Sequence, residues 1–84
     1  MTREQIRSDI FELLKKTAPE TDPTRLGPDE NIREALNIDS FDALQFLVAI
    51  NEKMGIDIPE EDYGKTTTLK SLTDYLELRS KAGN

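Results

Sequence analysis

Apolar residues recur every three or four positions in three segments of the chain, and this spacing places them on one face of an α-helix. The segments predict helices over residues 3–16, from residue 39 or 40 to 54, and from about residue 69 to 79 or 80. A short helical turn is predicted at residues 59–63, and no segment alternates for long enough to predict a strand. We therefore expect an all-α fold in a single domain over residues 1–84. It is an antiparallel bundle of three main helices plus one short helix, with residues 81–84 frayed.

Residues that favour helix ends flank these segments. Thr2 and Gln5 have the spacing of a capping box, and Gly55 and Gly64 are expected to end the helices that precede them. Other candidate N-caps are Asp39 or Ser40 for the middle main helix and Thr67 or Thr68 for the last one.

Residues 17–39 form a connection much longer than is usual, because prolines and glycine interrupt any helix there. Asn31 has the position of a cap for one short turn through Leu36. Apolar residues are spaced along the connection so that they can hold it against the core, namely Leu26, Ile32, Leu36 and Ile38. The pattern favours an ordered loop strapped to the bundle over a flexible linker.

The middle helix has more apolar surface than one buried face requires. Its core face is predicted to consist of Ala43, Phe46, Leu47, Ile50 and Met54. A second stripe on a neighbouring face contains Phe41, Leu44, Gln45, Val48 and Glu52. This stripe is either a docking surface or a widening of the buried face against the long loop, and the pattern alone does not choose between them.

Charge and composition narrow the possible functions. The 84 residues include no Cys and no His, which excludes disulfides, thiolate metal sites and Ser-His-Asp or Cys-His catalysis, so catalysis by this chain alone is not expected. Residues 39–64 hold seven acidic residues and one lysine, a charge of −6 that equals the net charge of the whole chain. We expect partners with basic patches, no binding to nucleic acid or membranes, and a monomeric cytoplasmic protein.

Four acidic residues after the middle helix are a candidate carboxylate pair or a loose cation site: Asp57, Glu60, Glu61 and Asp62. They do not match the spacing of an EF-hand loop, and they lie on a short segment with nothing apolar enough to raise the pKa of a carboxyl group. We interpret them as solvated surface, and we expect no metal site.

Ser40 stands at the predicted start of the middle helix, where the first-turn N–H groups lack partners and an attached phosphate would be stabilised. Taken alone, Asp-Ser before an apolar helix is a capping signal. The longer run resembles the motif of the acyl carrier protein family, in which Asp-Ser-Leu opens the second helix: Leu36-Asn37-Ile38-Asp39-Ser40-Phe41-Asp42-Ala43-Leu44. The similarity continues in one register through residue 76.

The resemblance implies that Ser40 carries 4'-phosphopantetheine, attached by a separate transferase that uses coenzyme A and magnesium, and that the thiol of this group holds acyl groups as thioesters. It implies that Asp39 supports the site and that acyl chains enter between the helices. It also implies acyl-ligase, synthase or acyltransferase partners of fatty acid, polyketide or other specialised lipid biosynthesis. The expected partner surface comprises Phe41, Asp42, Leu44, Gln45, Val48 and Glu52.

The chain departs from the family pattern in several places. Phe41 replaces the usual Leu, Asn37 stands where Gly is common, and Gln45 and Asn51 occupy positions that are often Glu in carriers of primary fatty acid synthesis. These departures favour a specialised carrier. A D-alanyl or aminoacyl carrier, and an unmodified helical interaction module in which Ser40 is only a cap, remain as alternatives.

Overall fold

The computed structural model describes residues 2–82, and the three main helices predicted from the sequence pack together in it as a bundle. They are α1 (Arg3–Thr17), α3 (Ser40–Met54) and α4 (Leu69–Ala82), with a four-residue helix α2 (Ile32–Ala35) in the long connection. Two 3-10 turns, Pro23–Arg25 and Glu60–Lys65, complete the regular structure of the described residues. The prediction of an all-α fold is confirmed.

Helix α1 contacts both α3 and α4, so its apolar face lies at the centre of the bundle. Thr2 caps it, since Thr2 Oγ1 accepts a hydrogen bond from the N–H of Gln5 at 3.1 Å. The side chains that α1 buries are Ile6, Ile10, Leu13 and Leu14. Ile6, Ile10 and Leu14 are fully inaccessible to solvent, and burial of this kind is the main source of stability in a bundle.

The long connection is strapped to the bundle, as the sequence predicts. Its four apolar residues are at most 8% exposed and belong to the same core cluster as the helices: Leu26, Ile32, Leu36 and Ile38. Two backbone hydrogen bonds join it to the start of α4, from the N–H of Ile32 to Thr67 O at 2.8 Å and from the N–H of Lys70 to Pro28 O at 2.9 Å. Asn31 caps α2 by accepting from the N–H of Glu34 at 3.0 Å.

Two predicted helix ends are wrong. Gly64 does not end the turn predicted at residues 59–63, because it keeps a negative φ, and the 3-10 turn continues to Lys65. Helix α4 continues through Lys81 and Ala82 instead of ending at residue 79 or 80. The sequence contains no helix breaker before Gly83, and basic side chains in the last turn favour the negative end of the helix dipole. Residues 83 and 84 lie outside the described residues.

The start of α4 settles a choice that the sequence leaves open. Thr68 and Ser71 cap the helix reciprocally, since Thr68 Oγ1 accepts from the N–H of Ser71 at 3.0 Å and Ser71 Oγ accepts from the N–H of Thr68 at 3.1 Å. Thr68 is therefore the residue that caps this helix.

Asp62 is not solvated surface, unlike the other three acidic residues of its group. It is 8% exposed, and its carboxylate accepts hydrogen bonds from the Tyr75 hydroxyl at 2.7 Å and from Arg79 Nη2 at 3.0 Å. Lys65 Nζ lies 3.3 Å from the other carboxylate oxygen. Asp62 thus joins the 3-10 turn Glu60–Lys65 to α4, whereas Asp57, Glu60 and Glu61 are exposed. No group of three or more acidic residues in the described range is close enough to hold a metal ion.

Asn37 has a φ of 54°, and it is the only non-glycine residue with a positive φ in the described part of the chain. This left-handed conformation favours glycine, and asparagine tolerates it better than most other residues. The asparagine at a position where the carrier family commonly has glycine is therefore compatible with the path of the backbone into α3.

We expect Asp62→Asn to lower the free energy of unfolding at pH 7. The hydrogen bond from Tyr75, together with Lys65 and Arg79, holds the pKa of Asp62 below its ordinary value, so this carboxylate stabilises the fold above its unfolded pKa of about 4. The stabilisation is lost as pH falls through the folded pKa. Urea unfolding of both proteins between pH 7 and pH 3 should show the penalty shrinking with acidity, with Asp57→Asn as the control. A penalty that is constant over this range would contradict the role of Asp62.

We expect Asn37→Ala to lower the free energy of unfolding by about 1 kcal/mol relative to Asn37→Gly, because an alanine Cβ is strained in the left-handed region. Chemical denaturation of the two variants measures this difference directly. Asn51→Ala, at an exposed helical position, serves as the control and should change little. Equal stability of the alanine and glycine variants at residue 37 would rule out a left-handed residue there.

Candidate functional site

The start of α3 is capped by Asp39, which leaves the side chain of Ser40 outside the capping interaction. Asp39 Oδ1 accepts a hydrogen bond from the N–H of Asp42 at 2.8 Å, and Asp39 O accepts from the N–H of Ala43 at 2.9 Å. Asp39 is in an extended conformation, while Ser40 is the first residue of the helix. Of the two caps that the sequence allows, the structure uses Asp39.

Ser40 is exposed, and its hydroxyl has no hydrogen-bond partner among residues 2–82. The N–H groups of Ser40 and Phe41 also lack an acceptor in the described structure, as is usual in the first turn of a helix. These donors and the positive end of the helix dipole favour an anion at this point. The position combines an accessible hydroxyl with a rigid backbone.

A cavity of about 450 Å³ opens beside Ser40 between α2, α3 and the segment before α4. Its volume lies within the range of small-molecule sites, about 300 to 1,000 Å³. Helix α3 contributes four apolar residues to its lining. The residues that line it are Asn31, Ile32, Arg33, Ser40, Ala43, Leu44, Phe46, Leu47, Tyr63, Gly64, Thr66 and Thr67.

The outer stripe of α3 is exposed, so it does not widen the buried face against the long loop. Phe41 is 67% exposed, Leu44 43% and Val48 45%. Gln45 and Glu52 are exposed as well, and Asp42 is half-buried. The predicted core residues of α3 are buried or partly buried: Ala43, Phe46, Leu47, Ile50 and Met54. Exposed aromatic and aliphatic side chains interspersed with polar ones form a surface suited to a protein partner.

Leu44 belongs to both features, since it is part of the exposed stripe and also lines the cavity. The structure therefore brings the predicted site serine, the predicted stripe and a cavity together at the first two turns of α3. The second half of the stripe, at Val48 and Glu52, extends along the helix away from Ser40.

Sequence reasoning missed the cavity walls that do not belong to α3. Arg33 and Tyr63 stand in short segments without a helical repeat, Thr66 carries no signal of its own, and Thr67 is predicted only as a candidate helix cap. Their convergence on Ser40 depends on how the loop and the 3-10 turn pack, which no local pattern encodes. The sequence predicts Asn31 as a helix cap, but no local pattern predicts that it also lines the cavity.

Comparisons with known proteins identify a family model and several relatives that match most of the chain. A family model described as a phosphopantetheine attachment site matches residues 6–76. The acyl carrier protein of Thermosynechococcus vestitus is 30% identical over 73 residues, which cover 83% of this chain and 90% of that protein. The acyl carrier protein of Helicobacter hepaticus is 35% identical over 72 residues, covering 82% and 95%. That of Rubrobacter xylanophilus is 32% identical over 76 residues, covering 90% and 93%.

Within residues 2–82, none of the helices combines the length and the hydropathy needed to cross a membrane. The family model spans the core of the bundle, the start of α3 and most of α4. The chain therefore belongs to the acyl carrier protein family, whose members are carriers rather than catalysts, and its prosthetic group is 4'-phosphopantetheine.

Proposed function

We propose that Ser40 is the residue that carries 4'-phosphopantetheine, in phosphodiester linkage through its hydroxyl, and that a separate transferase attaches it from coenzyme A. The observation that carries this proposal is the position of Ser40. Its hydroxyl is exposed and free of hydrogen bonds to the described residues, it follows the true cap Asp39, and it borders the cavity. The free first-turn N–H groups fit the phosphate.

The prosthetic group supplies a terminal thiol that holds acyl groups as thioesters. The chain has no cysteine of its own to compete with that thiol. Asp39 supports the site in two ways: it fixes the backbone that presents Ser40, and it presents a carboxylate to the transferase. Because Asp39 already provides the cap, modification of Ser40 removes no hydrogen bond from the fold.

The cavity is the proposed shelter for the acyl chain. Its wall on α3 consists of Ala43, Leu44, Phe46 and Leu47, and Ile32 contributes a further apolar side chain from α2. Burying an alkyl chain there is favourable by about 0.8 kcal/mol for each CH₂ group removed from water. Ser40 borders the same cavity, so cargo tethered to it has a short path to this apolar interior.

The proposed partner surface is the outer face of α3, formed by Phe41, Asp42, Leu44, Gln45, Val48 and Glu52. The exposed apolar residues supply contact area, and the acidic residues attract basic patches on partners. The partners are the transferase and the ligases, synthases or acyltransferases of fatty acid, polyketide or other specialised lipid biosynthesis, in the cytoplasm, with the carrier acting as a monomer. The uncharged Gln45 and Asn51 favour a specialised carrier.

Ser40→Ala is expected to abolish loading while changing the free energy of unfolding by less than about 0.5 kcal/mol, because Ser40 is not the cap and alanine is favourable within helices. Intact mass after incubation with coenzyme A, magnesium and a broad-specificity transferase measures the loading. Ser8→Ala, which removes an exposed hydroxyl on α1, is the matched control and should load fully. Loading of Ser40→Ala, or no loading of the wild type by a transferase active on another carrier, would refute attachment at Ser40.

Reversal of charge in the double variant Asp42→Lys, Glu52→Lys is expected to slow association with the transferase several-fold at low salt. The difference should vanish at high salt, because surface charges are screened beyond about 8 Å at physiological ionic strength. Association rates measured by stopped flow or surface plasmon resonance at increasing NaCl concentration provide the test. Glu20→Lys, an exposed acid in the long loop, is the control. Rates that do not depend on salt would argue against electrostatic steering.

A further inference from the structure

Arg33 lies at the same cavity as Ser40, and no ion pair engages its guanidinium. Its side chain is exposed, and no carboxylate of the described residues lies within ion-pair distance of it. By contrast, Arg3 on α1 and Lys53 on α3 are each paired with an acidic side chain at 2.8 Å. The positive charge and the hydrogen-bond donors of Arg33 are therefore available to bind a group other than the described protein residues.

Two hydrogen bonds hold Arg33 against the backbone that leads into α3. Its carbonyl oxygen accepts from the N–H of Ile38 at 2.9 Å, and its Nε donates to Ile38 O at 3.3 Å. Ile38 stands two residues before Ser40, a stretch of chain that spans at most about 7 Å. The Nε of the guanidinium thus lies against the backbone that leads to Ser40, and neither terminal Nη group has a partner among the described residues.

The charges around Ser40 make this arginine unusual. Arg33 is the only basic residue between residues 26 and 52, and acidic residues stand on both sides of Ser40, at Asp39 and Asp42. A guanidinium binds phosphate through short, charge-assisted hydrogen bonds that are roughly twice as strong as neutral ones. A phosphate linked to Ser40 would introduce an anion at the cavity that Arg33, which has no ion pair within the described residues, also lines.

We propose that Arg33 binds the phosphodiester group carried by Ser40 and thereby holds the base of the prosthetic arm at the mouth of the cavity. This inference rests on the proposed attachment to Ser40. Arg33 acts as a positioning residue: it forms no bond to the cargo, and it favours the orientation in which the arm points along the apolar wall of α3. Neutralisation of the phosphate also offsets its repulsion by Asp39 and Asp42.

The test uses the loaded protein, in which the phosphodiester is a single phosphorus atom visible by ³¹P NMR. Wild type, Arg33→Gln and Arg25→Gln are each loaded from coenzyme A, and loading is verified by intact mass. The wild-type ³¹P resonance should shift as NaCl is raised, because salt weakens the contact with Arg33. The Arg33→Gln resonance should lie near the wild-type high-salt position at every NaCl concentration. Arg25→Gln, which removes an exposed arginine of the same loop that does not line the cavity, should behave as wild type.

A second measurement needs no variant. In the wild type, the Nε–H signal of Arg33 should shift on loading, while that of Arg25 should not. Coincident ³¹P shifts for all three proteins at every salt concentration, with an unmoved Arg33 signal, would overturn the role of Arg33 and leave attachment at Ser40 intact. Failure of the wild type to load, with a transferase proven on another carrier, would overturn the attachment and this inference together.

Discussion

The hydrogen bond between Asp39 and the N–H of Asp42 at the start of α3 is the interaction on which the site depends. A helix start needs a side chain that satisfies its free donors, and Ser40 would serve that purpose if Asp39 did not. Because Asp39 provides the cap, Ser40 becomes the first helical residue, with a defined backbone and an unengaged hydroxyl. Asp39 fixes the backbone at the start of α3, and the hydroxyl of Ser40 is left free for modification.

The surroundings of Ser40 depend on two segments that have little regular structure of their own. The long connection is held by apolar side chains buried in the core and by backbone bonds to the start of α4. The turn Glu60–Lys65 is held by Asp62, which binds Tyr75 and Arg79 on α4. Between them these segments form the cavity wall that faces α3. A small bundle of three helices thereby gains an apolar interior beside its site serine without a large core.

The sequence predicts the parts of this structure that rest on local chemistry. The three long helices, the cap at Asn31 and the left-handed end of α3 at Gly55 follow from periodicity and end preferences within a few residues. The surplus of apolar positions on α3 predicts the outer stripe, but the exposure of this stripe depends on where the long loop packs. The resemblance to the carrier motif predicts Ser40 as the attachment residue.

The burial of Asp62 could not be predicted, because its partners lie 13 and 17 residues away on α4, and a run of acids in sequence looks like solvated surface. The cavity cannot be predicted from the sequence for the same reason, because the segments that line it meet only in the folded chain. Arg33 illustrates this most clearly. In the sequence it is one charged residue among many. The role that we propose for it depends on its two hydrogen bonds with Ile38, two residues before Ser40.

Ser40 and the cavity together form the site that we propose for tethered acyl cargo. The most direct measurement is a nuclear Overhauser spectrum of the wild type loaded with a ¹³C-labelled, medium-length saturated acyl-pantetheine. We expect contacts from the acyl methylenes to Phe46 and Leu47, which line the cavity. Contacts confined to the outward side chains of Phe41 and Val48, or no contacts with the protein, would contradict this proposal.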